Sequence, residues 1–82
     1  MADRPLELSS MRQVLLHPDK EDGGWVAEVP SLPGCISGGA TPEEALRNIR
    51  DAMESWIDAA QASGMEVPAE DFGARLLVVD AA

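Results

Sequence analysis

Thr41-Pro42-Glu43-Glu44-Ala45-Leu46, running on through residues 47–60 as RNIRDAMESWIDAA, is the stretch that decides the fold. Thr41 offers a side-chain oxygen as N-cap. Pro42 suits the first helical position, where its missing N–H would have no partner in any case, and Glu44 closes a capping box. Glu43 and Glu44 also complement the positive end of the helix dipole. From there Leu46, Ile49, Met53, Trp56, Ile57 and Ala60 recur at three- and four-residue intervals. This is the stripe of an amphipathic helix about six turns long, with Gly64 as its C-terminal cap. The opposite face carries Glu43, Arg47, Arg50, Asp51 and Glu54. On it the pairs Glu43/Arg47, Arg47/Asp51 and Arg50/Glu54 stand four apart and can form weak stabilising contacts, so it reads as a solvated face.

One helix cannot bury its own apolar stripe, and the sequence upstream supplies strands to cover it. Met11 to His17 (MRQVLLH) is apolar without helix-starting signals and runs into Pro18-Asp19-Lys20-Glu21-Asp22-Gly23-Gly24, a cluster of turn formers that reads as a hairpin loop. Gly24 to Val29 then reads as a second strand with Trp25, Ala27 and Val29 on one face and Val26 and Glu28 on the other, stopped by Pro30. Ser31-Leu32-Pro33-Gly34 is a further turn, Cys35-Ile36-Ser37 a short third strand, and Gly38-Gly39 ends the meander. Downstream, residues 65–74 with Pro68 and Gly73 form a connector, and Arg75 to Val79 (RLLVV) a short final strand. The predicted fold is α+β, ordered β-β-β-α-β: an antiparallel meander, one helix and a last strand laid parallel to the sheet by a right-handed crossover.

Length and charge narrow what such a fold can do. A chain of 82 residues makes one domain, and at this size only about 60% of the unfolded surface is buried, which leaves little room for an internal active-site cavity. Hydrophobic residues make up 45% and aromatic residues 4%, enough for a thin two-layer core. Residues 1–10 are polar and unpatterned and read as a flexible leader. There is no signal-peptide-like run and no membrane-spanning stretch, so a cytoplasmic location is expected. Fifteen acidic residues against six basic ones give a net charge of −9. That balance repels phosphate backbones, disfavours direct nucleic-acid binding, and steers a basic protein partner.

The residues able to carry chemistry are few. His17 and Cys35 are the single histidine and cysteine, nothing in the sequence brings them together, and a lone cysteine is more often a small buried hydrophobe than a nucleophile. One cysteine also provides no disulfide and no thiolate metal site. Asp19, Glu21 and Asp22 lack the spacing of a calcium loop and read as a solvated hairpin tip. The pairs Gly23-Gly24 and Gly38-Gly39 lack the context of a phosphate-binding loop. No cofactor, metal or catalytic residue is expected. Trp56 belongs to the helix stripe, and Trp25 reads mainly as core with partner contact the lesser alternative. Both faces of the sheet are partly apolar, since Leu15 opposes Val14 and Leu16, and Leu76 and Val78 oppose Leu77 and Val79. A second copy of the chain, or self-coverage by the leader or by Met65, Val67 and Phe72, must therefore cover the second face.

The run from His17 to Ala60, HPDKEDGGWVAEVPSLPGCISGGATPEEALRNIRDAMESWIDAA, resembles the HicB-like antitoxin family. Its members carry an acidic-Gly turn, an aromatic strand, a VPxLPGC turn and a TPEEA helix start in this order. The likeness spans roughly residues 12–62. It implies a partial ribonuclease-H-like β-β-β-α-β fold over a single HicB-like domain, residues 11–82. It also implies homo-oligomers, a homodimer or tetramer, and neutralisation of a small basic HicA-type toxin that cleaves mRNA. Family members often add a C-terminal DNA-binding domain; none is expected here after the last strand. The expected action is non-catalytic, by steric and electrostatic masking, because strand one offers no carboxylate for metal-dependent hydrolysis. The acidic turn Asp19, Glu21 and Asp22, with Glu28 and Trp25, is the candidate partner-binding set. The alternative is a solitary oligomeric scaffold or regulator without a toxin.

Overall fold

A computed structural model describes residues 11–81. The leader expected over residues 1–10 lies outside them. The element order is β1 (Leu15–Pro18), β2 (Trp25–Glu28), β3 (Ile36–Gly39) and α1 (Pro42–Ala62), with the three strands paired antiparallel in the order β1-β2-β3. Leu15 stands opposite Glu28 and Glu28 opposite Ile36, so these three share a row across the sheet; His17, Val26 and Gly38 form another. The α+β class and the β-β-β-α order are those read from the sequence.

The first turn of α1 is built as the sequence specifies. Thr41 Oγ1 accepts from the Glu44 N–H at 3.1 Å, and the Glu44 carboxylate reaches back to the Ala40 N–H at 2.6 Å, one residue before the N-cap. At the other end Ser63 is the C-cap, and Gly64 follows it with φ of 75°. Met65 N–H reaches Ala60 O at 2.8 Å and Gly64 N–H reaches Gln61 O at 3.1 Å, the paired bonds of a Schellman ending, which a left-handed glycine makes possible.

The core sits between α1 and one face of the sheet. Ala27, Val29, Leu32, Cys35, Ala45 and Ile49 are buried together, with Val14, Leu16, Trp25, Ala52, Met53, Trp56, Ile57 and Val67 packed around them. Leu32 and Cys35 reach this core from the Val29–Cys35 loop. That loop is tied by Val29 N–H to Cys35 O at 3.0 Å and Cys35 N–H to Leu32 O at 2.9 Å. The VPxLPGC turn is thus part of the hydrophobic core as well as a reversal.

Three expectations require correction. Leu46 does not belong to the buried stripe: it is 44% exposed, and its neighbour Ala45, fully buried, holds the core position in the first turn of α1. Gly38 and Gly39 do end the meander, but as the paired second half of β3 rather than as turn residues after it. There, a Cβ on either would strike the Trp25 carbonyl or the start of α1. Residues 75–79 form no strand in the described structure; Leu76 to Val79 stand 74–101% exposed instead. Their apolar character marks them as a segment wanting a cover, and pattern alone does not say where that cover comes from.

Candidate protein-binding face

With Trp25, Ala27 and Val29 turned to α1, strand alternation puts Leu15, His17, Val26, Glu28, Ile36 and Gly38 on the outer face of the sheet. No element among the described residues lies over it. Its centre is apolar: Leu15 and Val26 are half-buried, and Ile36 at the edge is 57% exposed. His17 and Glu28 are diagonal neighbours across β1 and β2, with Nε2 and Oε2 3.4 Å apart, a contact that becomes an ion pair when the imidazole is protonated. Between two exposed side chains it is worth at most about 1 kcal/mol.

The hairpin between β1 and β2 ends this face with negative charge. Asp19 Oδ1 accepts from the N–H groups of Glu21 and Asp22, both at 3.1 Å, while Asp19 N–H donates to Gly24 O and Gly23 N–H to Asp19 O. One oxygen of the Asp19 carboxylate is therefore spent holding the turn. Glu21 and Asp22 project from the tip, exposed. Gly23 and Gly24, at φ of 79° and 82°, supply the left-handed backbone the turn needs.

The candidate residues consequently separate. Asp19, Glu21 and Asp22 form one acidic knob. Trp25 packs against the core, as its strand face predicts, though it also lines an open cleft of about 560 Å³ with Asp19, Asp22, Gly24 and Gly38. Glu28 lies on the opposite face from Trp25 and belongs to the apolar outer patch. Ile36, the most exposed apolar side chain of that patch, was not singled out from sequence. Its row with Leu15 and Glu28 depends on the register of three strands, for which a single sequence carries no direct signal.

Other groups are less active. On the solvated face of α1 none of the three expected charge pairs closes. Cys35 is buried, and that burial pushes its thiol pKa up, which keeps it in the unreactive protonated form. Among the described residues no three His, Cys, Asp or Glu side chains converge as a metal site, and no helix is long and apolar enough to cross a membrane. Trp56 Nε1 donates to Pro33 O at 3.0 Å and fastens α1 to the loop that carries Leu32 and Cys35.

A three-stranded meander covered on one face by a long helix, with an acidic hairpin tip and an outer face that no element among the described residues covers, defines a small α+β domain. Residues 13–75 match the family model described as HicB_like antitoxin of bacterial toxin-antitoxin system, and the chain belongs to that family. An antitoxin implies a toxin as partner in general. The chain is similar to a UPF0150 protein of Thermoplasma acidophilum, 34% identical over 61 residues that cover 74% of this chain and 88% of the relative. It is also similar to two UPF0150 proteins of Synechocystis. One is 48% identical over 50 residues, covering 61% of this chain and 63% of the relative. The other is 36% identical over 66 residues, covering 80% and 90%. No solved structure matches.

Proposed function

We propose that this chain is a non-catalytic antitoxin that binds a small, basic, RNA-cleaving toxin of the HicA type in the cytoplasm and masks its active surface. The observation that carries the reading is the family match over residues 13–75. Charge supports it: a chain of net charge −9 attracts a basic partner and is repelled by RNA, so it competes for the toxin's surface without itself binding nucleic acid. The exposed tip, Glu21 and Asp22, with Asp19 at its base, presents the charge that a cationic RNA-binding surface would meet. The adjacent outer face offers Ile36 as an apolar contact, with Glu28 beside it. Masking of this kind needs shape and charge complementarity rather than a reacting group.

The chain works as a homo-oligomer, a dimer or tetramer, because Ile36 and Leu76 to Val79 leave more apolar surface in water than one protomer of this size keeps comfortably. The ribonuclease-H-like sheet implied by the family likeness requires a further strand, for which residues 75–79 are the source.

Affinity capture tests the central reading. The chain, tagged and co-expressed with the product of the neighbouring reading frame, is expected to retain a small basic protein through salt washes. A chain that elutes alone while the neighbour is present and soluble would contradict it.

A further inference from the structure

We infer that the apolar groove at the C-terminal end of α1 receives a large apolar side chain of the toxin that has a lysine or arginine beside it. The inference rests on the antitoxin reading above and adds a contact away from the acidic tip.

The groove has a volume of about 480 Å³ and is walled by Trp56, Pro33, Met65 and Pro68, with the small Ala59 leaving room between them. Each wall is held by a hydrogen bond. Trp56 Nε1 donates to Pro33 O at 3.0 Å, Met65 N–H to Ala60 O at 2.8 Å, and Arg12 Nη1 to Pro68 O at 2.6 Å. A groove already built needs little ordering when it is filled. Its chemistry suits an apolar anchor: an aromatic ring on one side, and on another the adaptable Met65, 57% exposed. The acidic tip shares its cleft with Ala40, just ahead of α1, so tip and groove stand at opposite ends of this 21-residue helix, about 30 Å apart.

Charge decides the occupant. Among the described residues lining the groove the charged one is Glu66, which is exposed at its rim. The last turn of α1, which the groove adjoins, contains no basic residue, so the negative end of the helix dipole is not offset by a side-chain cation there. An apolar floor with a negative rim therefore favours an apolar residue next to a cation. A second copy of the chain, at a net charge of −9, is repelled by such a rim. The chain's own residues 1–10 set Asp3 and Glu7 against Arg4 and match it poorly. A basic toxin matches both the floor and the rim.

Calorimetric titration of the purified product of the neighbouring reading frame into wild type, Met65→Ser and Glu66→Lys protein tests this. Met65→Ser removes an apolar wall and is expected to weaken binding about 10-fold at every salt concentration. Glu66→Lys reverses the rim charge and is expected to weaken it about 10-fold at low salt and less as salt is added. Both residues are exposed, so both variants should melt as wild type does. Unchanged affinity in either variant would overturn the groove contact and leave the antitoxin reading standing; wild type that binds no toxin would overturn both. In Trp25→Phe protein Trp56 is the sole tryptophan, and its quenching by acrylamide reports on the other occupants. It is expected to be the same at every protein concentration and after Arg4→Glu with Leu6→Ser. Quenching that rises with those two substitutions would give the groove to residues 1–10, and quenching that falls as the chain is concentrated would give it to a second copy; either result would overturn the inference.

Discussion

A Cβ placed on Gly39 would stand 2.7 Å from the backbone nitrogen of Ala45, so the last residue of β3 and the first turn of α1 meet at a distance that only glycine allows. The neighbouring atoms are backbone and cannot swing aside. Gly39→Ala is expected to destabilise the fold by about 1–3 kcal/mol, as overpacking does, read as a lower urea midpoint at unchanged slope. A midpoint equal to wild type would mean that helix and strand are not in this contact.

Leu32 and Leu46 should separate in the opposite sense from their places in the sequence pattern. Leu32 sits in a loop yet is fully buried, and Leu32→Ala is expected to cost about 2–5 kcal/mol. Leu46 sits on the helix yet is 44% exposed, and Leu46→Ala should change stability by no more than about 0.5 kcal/mol. Thermal or urea melts of the two variants side by side check the assignment.

Burial holds the Cys35 thiol above its ordinary pKa, and the stability consequence has a definite sign. The folded state binds the proton more tightly than the unfolded chain does. The contribution is thus full below the unfolded thiol's pKa, about 8.5, and is lost as pH rises from there through the folded value. Urea midpoints measured from roughly pH 7 to 10 should fall more steeply for wild type than for Cys35→Ala. The native thiol should also resist maleimide until the protein is unfolded.

The acidic tip divides into a structural and a recognition part. Asp19→Ala removes an acceptor from two N–H groups of the turn and should cost stability, about 1 kcal/mol. Glu21→Lys with Asp22→Lys touches no such contact. It should leave the melt unchanged while slowing association with the basic toxin on the order of 10-fold at low salt, an effect that shrinks as salt is added. Stopped-flow association at two ionic strengths distinguishes the two.

Local chemistry was what the sequence revealed best. Thr41, Pro42 and Glu44 specify the start of α1 through bonds three residues long, and the alternation of Trp25, Ala27 and Val29 specifies which face of β2 is core. What depended on distant contacts was read less well. Gly38 and Gly39 look like turn residues because their role, admitting the Trp25 carbonyl and the helix start, involves atoms far along the chain. Leu46 looks like core because the helical period does not say which side of the stripe the sheet will touch. Residues 75–79 carry strand propensity but no indication of a partner. In the candidate site, Asp19, Glu21 and Asp22 were adjacent in sequence and remain together. Glu28 and Trp25 parted because strand alternation puts them on opposite faces, and Ile36 joined Glu28 only through register.

The central claim is that this chain silences a toxin by binding it, and a titration tests that most directly. Purified toxin from the neighbouring gene is mixed with increasing amounts of this chain, and cleavage of a labelled RNA is followed. Cleavage is expected to fall in proportion to added chain and to cease at a fixed whole-number ratio, with no loss of RNA when the chain is present alone. Cleavage that persists at a large excess of folded chain would contradict the account.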